Sequence, residues 1–180
     1  MATASEDTTA KVADVVQAAL RAGVLEHCSD PERRLEADLL GRLQQHLTGR
    51  GEQSRRGAFH TPDIVADLMA EILGEDGTEA ETTGETSAGS GTMFRAQARD
   101  LRRRGIDPAT ASWQAAELSE LSSATLACNA ALWRLGNDVV IACADALAGD
   151  SGIAQARAER ARCLEHRDAA LAHLWPSNRR

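Results

Sequence analysis

Two glycines, Gly89 and Gly91, stand in the run Ser87-Ala88-Gly89-Ser90-Gly91, directly ahead of a segment with helical periodicity. A Gly-x-Gly turn lets backbone N–H groups approach a ligand closely, and the start of the following helix favours a carboxylate or phosphate. Glu117 follows Gly91 by 26 residues, at the end of a run that reads as a short strand, Ser112–Glu117. A carboxylate placed there accepts hydrogen bonds from ribose hydroxyls. Asp145 comes after the next strand-like run, where a carboxylate accepts from an adenine amino group. Gly89, Gly91, Glu117 and Asp145 together describe an adenosine-type cofactor pocket at the carboxyl ends of parallel strands. Each has a plainer reading alone, because turns need glycine and acids cap turns.

The surrounding pattern supplies elements able to hold such a pocket. Residues 1–50 read as a helical N-terminal region. Val12, Val15, Val16, Ala19 and Leu20 recur at helical spacing up to Gly23, and Ser29 or Asp30 with Pro31 opens a second helix through Leu35, Leu39, Leu40, Leu43 and Leu47. Gly49 to Gly57 is a polar linker. Residues 51–150 form the main domain. Thr61 caps a helix with Pro62 at its first position, and Ile64, Val65, Leu68, Met69, Ile72 and Leu73 give that helix one apolar face. A helix from Thr92 to about Arg104 turns Met93, Phe94, Ala98 and Leu101 inward, and Ser119–Leu135 is a second long helix. Asp138–Ala144, continuous and β-branched, reads as a strand buried on both faces. Residues 151–180 form a C-terminal helix stopped by Pro176. Alternation of strands and helices predicts an α/β fold with a parallel sheet.

The 180 residues suit one domain with a helical appendage. The net charge of −7 argues against a stand-alone, non-specific nucleic-acid binder. Charge is segregated: Asp63 to Glu85 holds eight acids and no Lys or Arg, whereas Arg95 to Arg104 holds five arginines and one acid. That arginine run reads as a solvated helix end or a contact to phosphates. Cys128 and Cys143 read as small core residues. Cys163 and His166 have a C-x-x-H spacing that no second pair completes, so no metal is expected. No apolar run approaches the ~20 residues that span a bilayer, and the polar start lacks the apolar core of a secretion signal. The expected compartment is the cytoplasm.

Beyond these features, Gly57-Ala58-Phe59-His60-Thr61-Pro62 resembles the G-x-[FY]-[FY]-T-P motif of adenine-N6 DNA methyltransferases related to type I restriction–modification modification subunits. Glu85-Thr86-Ser87-Ala88-Gly89-Ser90-Gly91 is similar to that family's D-P-x-x-G-S-G, Trp113–Glu117 to its ribose-binding strand, and Asp145-Ala146-Leu147 to its G-D-[ST]-L. The order is the family's, over about residues 57–150. The resemblance implies a Rossmann-like S-adenosylmethionine-dependent methyltransferase fold. Phe59, Thr61 and Pro62 would then cover the methionine and adenine side. Glu85, Ser87, Gly89 and Gly91 would form the turn around the methionine moiety. Glu117 would hold the ribose and Asp145 the adenine amino group. DNA, and a partner methyltransferase or specificity subunit, are the implied partners.

The resemblance stops before the catalytic [ND]-P-P-[FY] motif, whose Asn or Asp and proline carbonyl accept the hydrogens of a flipped adenine's amine. The four prolines, Pro31, Pro62, Pro108 and Pro176, are never adjacent, and there is no tyrosine. The run Thr78–Glu85 ahead of the glycine turn is polar and charged where a central strand would be apolar, so it is expected to be a sheet edge. These departures predict a partial sheet. They leave three readings: a methyltransferase acting with help, a non-catalytic subunit that keeps the cofactor fold, and an interaction protein with a vestigial pocket.

Overall fold

The computed structural model describes residues 6–48, 59–74 and 82–174. The predicted Gly49–Gly57 linker, Gly57-Ala58 of the motif, the strand positions Thr78–Glu81 and the tail from Trp175 lie outside the described residues.

Three short strands build the centre: β1 (Thr82–Glu85), β2 (Ser112–Glu117) and β3 (Val139–Cys143). They are parallel, in the order β1-β2-β3, with Glu85 opposite Ala115 and Glu117 opposite Cys143. Parallel neighbours need long crossovers. Here these are α5 (Thr92–Arg103) and α6 (Glu120–Leu132), while α7 (Ser151–Leu174) follows β3 and packs on β3 and β2. The fold is α/β, as the alternating pattern predicts. Among the described residues β1 pairs with β2 alone, so its other edge is open.

The core lies between the sheet and the two crossover helices. Trp113 and Ala115 on β2 meet Phe94, Ala98 and Leu101 of α5 and Leu126 and Ala130 of α6. The Phe94 and Trp113 rings tilt against each other at 5.1 Å between centroids, a favoured aromatic geometry. The buried Trp113 indole donates to the Pro108 carbonyl at 3.1 Å. On β3, Val140 and Ala142 are buried while Val139 and Ile141 pack on the Trp113 side, so the strand is covered on both faces as its β-branched run predicts.

Four expectations need correction. The N-terminal region has α1 (Glu6–Arg21), α2 (Val24–Ser29), a 3-10 turn at Arg33–Leu35 and α3 (Leu39–Thr48), instead of two helices. Asp30 draws the amides of Glu32 and Arg33 onto its side chain, and the buried Asp38 takes the amide of Gly41, so each restarts the chain locally. The Val12, Val15, Val16 and Leu20 stripe of α1 is exposed and not packed on the main domain. Second, α4 (Asp63–Gly74) buries its small residues, Ala66, Ala70 and Gly74, because they allow close approach to α5; its large apolar side chains face solvent. The helix begins after Pro62, whose carbonyl accepts from the amides of Val65 and Ala66, so Pro62 and not Thr61 flanks the first turn. Third, Cys128 and Cys143 are exposed, because α6 turns Leu126 and Ala130 to the core instead of Cys128, and Cys143 ends β3 beyond the core-packed Val139 and Ile141.

Fourth, the arginine run is only partly solvated: Arg99 and Arg103 are exposed, Arg102 and Arg104 are half-buried, and Arg95 is not at the surface at all. Arg95 is wholly buried, donating to the Leu35 carbonyl at 2.8 Å and to Asp67 at 2.9 Å, with Asp63 at 3.3 Å. Arg99 pairs with Asp67, Arg102 with Glu32, and Arg103 and Arg104 with Asp100. The segregated charges of the sequence thus meet in the fold, with Asp63 and Asp67 of α4 facing the arginines of α5. A buried guanidinium needs such partners, since an unpaired one would carry a large desolvation cost.

Candidate functional site

The glycine turn is held from behind and below before any ligand is considered. The Ala88 amide donates to the Ala116 carbonyl of β2 at 3.2 Å, and the Gly91 amide to the Ala88 carbonyl at 2.8 Å. Gly91 has φ +95°, and a Cβ there would collide with Leu126 Cδ1. Its lack of a side chain therefore serves the packing of α5 against α6. Gly89 has φ +55° and open space where a Cβ would be. It is the glycine on the accessible side of the turn.

Glu117 joins the turn to the end of β2. Its Oε2 accepts from the Gly89 amide at 2.9 Å and its Oε1 from the Ser119 amide at 2.8 Å. The Ala144 amide donates to the Glu117 carbonyl at 3.0 Å, which brings the end of β3, and Asp145 just after it, to the same rim. Asp145 is exposed, and its Oδ1 accepts from the Leu147 amide at 2.9 Å, capping the short 3-10 turn Ala146–Ala148.

A polar hollow of about 30 Å³ opens beside the turn, lined among others by Phe59, His60, Thr61, Glu85, Ser87 and Gly89. That is room for about one water-sized group, well below the ~300 Å³ of an enclosed small-molecule pocket. Any larger ligand would rest on the open rim and place only a small polar group inside. Glu85 is the unusual member. Its Oε2 is shielded from solvent and has no hydrogen-bond partner among the described residues. Burial, with a smaller push from the Glu117 charge, raises its carboxyl to about 7. His60 is shifted down by burial, an effect that Asp38 and Glu117 oppose. Two titratable groups with opposed shifts therefore share one small hollow.

Of the residues singled out in the sequence, Phe59, Thr61, Glu85, Ser87 and Gly89 come together around this hollow, with Glu117 bonded to the amide of Gly89. Pro62 is exposed at the start of α4, Gly91 is turned into the core, and Asp145 stands along the rim. Three residues carry weight that the sequence reading missed. His60 lines the hollow. Asp38 and Asn129 lock the back of the turn: the buried Asp38 accepts from Ser90 Oγ and, at 2.7 Å each, from the Gly41 amide and Asn129 Nδ2. Asn129 Nδ2 also donates to the Ser90 carbonyl at 2.9 Å. A lone Asn in the apolar run of α6 was the available signal.

Among the described residues no group of three or more His, Cys, Asp or Glu is placed to hold a metal ion, and no helix is long and apolar enough to cross a membrane. Cys163 and His166 share an exposed turn of α7 with Glu159 and Arg162. No protein-family model, curated protein or solved structure matches the chain.

Proposed function

We propose that the C-terminal rim of this sheet binds S-adenosylmethionine, and that the chain is a half-sheet relative of Rossmann-like adenine-N6 DNA methyltransferases that assists methyl transfer to DNA without performing it alone. One observation carries the reading. The Glu117 carboxylate is tied to the Gly89 amide beside a hollow in which Glu85 has a shielded oxygen with no partner among the described residues. A carboxylate offers about four lone-pair sites. Two backbone bonds therefore leave Glu117 able to accept from a pair of ribose hydroxyls. Glu85, when ionised, suits a small cationic group, and the amino group of a methionine moiety has the charge and size for a water-sized space. Phe59, the most exposed aromatic at the rim, supplies a face for a planar base. Asp145 reaches the rim from the next strand, where an adenine amino group would lie.

The auxiliary role rests on two further features. The chain has no pair of adjacent prolines and no tyrosine, so it lacks the acceptors and the stacking ring that a flipped adenine needs. The arginines of α5 are occupied by acids of the same chain, so DNA contact would come mainly through a partner methyltransferase or specificity subunit.

Titration calorimetry with S-adenosylmethionine tests the reading. The wild type is expected to bind in the micromolar range, with at least fivefold weakening in Glu85→Gln and in Phe59→Ala. Absence of heat at millimolar cofactor overturns it. Methyl incorporation into DNA by the isolated chain would contradict the auxiliary role while leaving the cofactor site standing.

A further inference from the structure

The hollow beside the glycine turn has a definite size and a definite sign. At about 30 Å³ it admits one group the size of a water molecule. Its lining contains Glu85 and no Lys or Arg, and the Thr61 and Ser87 hydroxyls border the same space. Glu117 acts on Glu85 from the next strand, and both of its oxygens already accept backbone amides, those of Gly89 and Ser119. The shielded Glu85 Oε2 has no hydrogen-bond partner among the described residues. A carboxylate ionised there would be a sheltered charge without a counter-ion, which is costly.

We infer that Glu85 makes this hollow selective for ligands that carry a primary ammonium, and that it releases its own proton to solvent when the ammonium enters. The inference rests on the cofactor reading, in which that ammonium belongs to the methionine moiety. An ammonium is compact and has three donors. Glu85 Oε2 accepts one, and the Thr61 and Ser87 hydroxyls are at hand for the others. The exchange balances: the Glu85 O–H bond breaks, its proton passes to water, and the ammonium keeps its three hydrogens. A neutral carboxyl is thereby replaced by an ion pair, so the hollow gains no net charge. An uncharged group offers no such exchange and leaves the carboxyl protonated. The direction of the coupling follows from the empty state. Burial first, and the Glu117 charge second, raise the Glu85 carboxyl to about 7. Below that pH the ammonium must displace the proton, so affinity falls as pH falls. Among the described residues the other titratable groups that act here are Glu117, His60 and, through His60, Asp38. Thr92 and Met93, which line the hollow from the start of α5, add no charge. His60 is held below its ordinary 6.5 by burial, against the pull of Asp38 and Glu117, so near pH 7 it is mainly neutral and Glu85 carries the exchange.

Titration calorimetry of the full chain, in two buffers of different ionisation heat, counts the protons released. S-adenosylhomocysteine is the probe, because it has the ammonium without the sulfonium charge; 5′-methylthioadenosine is the nucleoside with neither. From about pH 7 to about pH 6 the homocysteine probe is expected to weaken about fivefold, as the ionised fraction of a group near 7 falls by that factor. At the lower pH it is expected to release close to one proton, and the nucleoside none. Glu85→Gln is expected to abolish the release and His60→Gln to retain it. A second readout needs no variant: at about pH 6 the side-chain carboxyl resonance of Glu85 in the labelled wild type is expected to move to its ionised position when the probe is added. Binding of the probe without proton release, release that survives in Glu85→Gln, or an unmoved Glu85 carboxyl overturns the inference and leaves the cofactor reading standing. The probe's proton count decides even where the nucleoside binds too weakly to measure. Absence of heat with the probe and with S-adenosylmethionine overturns both.

Discussion

The glycine turn has two sides, and they are built by opposite rules. Behind it, Asp38, Ser90, Asn129 and the Gly41 amide form a buried knot in which the Asp38 carboxylate accepts three hydrogen bonds. In front of it, Glu85 is shielded yet keeps an oxygen without a partner among the described residues, and Gly89 faces open space. Buried polar groups in folded proteins are nearly always satisfied. The back is satisfied within the chain, whereas the front leaves one acceptor and the Gly89 face open. The turn can present amides at the front because the knot fixes it from the back.

Substitutions can break or sharpen that contrast. The largest effect belongs to the knot. Asp38→Ala strands the Gly41 amide, Ser90 Oγ and Asn129 Nδ2, and is expected to cost about 3–5 kcal/mol in urea unfolding, since a buried network is lost with its donors left unpaired. Next comes Gly91→Ala, at about 2–4 kcal/mol, because its Cβ would collide with Leu126 and its φ of +95° disfavours any side chain. Equal costs for Gly91→Ala and Gly89→Ala would dissolve the distinction between the two sides.

Glu85 offers a pH readout of the front. Its carboxyl is raised from 4.5 to about 7 in the fold, so the folded chain holds a proton that the unfolded chain releases. Its contribution to stability is therefore complete below about 4.5 and is lost as pH rises through 7. Glu85→Gln is expected to flatten the fall in stability between those values and to raise stability at pH 8 by on the order of 1–2 kcal/mol, after discounting for partial exposure. Differencing against the wild type removes the opposed slope from His60. An unchanged pH profile would mean that Glu85 is solvated and the front is not special. The smallest effect is Gly89→Ala, at about 1 kcal/mol, which is the αL preference alone.

Much of the main domain was legible in the sequence because its patterns are local. Ser112–Glu117 forms a strand over the expected residues, and the β-branched run forms a strand at Val139–Cys143, buried on the Val140 face and half-buried on the other. The glycine turn, Glu117 and the strand end before Asp145 meet at one rim, as spacing suggested. What escaped were choices made by partners distant in sequence. The apolar periodicity of Ile64 to Leu73 marks a face but not its direction, and close packing of Ala66 and Ala70 on α5 turned it outward. Arg95 looked solvated because its acids, Asp63 and Asp67, lie about 30 residues earlier. Asp38 carries no local signal, and only the fold brings it to its partner Asn129, 91 residues away in sequence. Gly89 and Gly91 are indistinguishable as letters, yet one faces outward and the other fills a gap beside Leu126.

The most direct measurement is an amide chemical-shift titration of the labelled chain with S-adenosylmethionine. The account predicts saturable shifts at the amides of Glu85, Ser87, Gly89 and Glu117, with Gly41 and Asn129 unmoved behind the turn. No shifts at millimolar cofactor, or shifts confined to residues away from the rim, would contradict it.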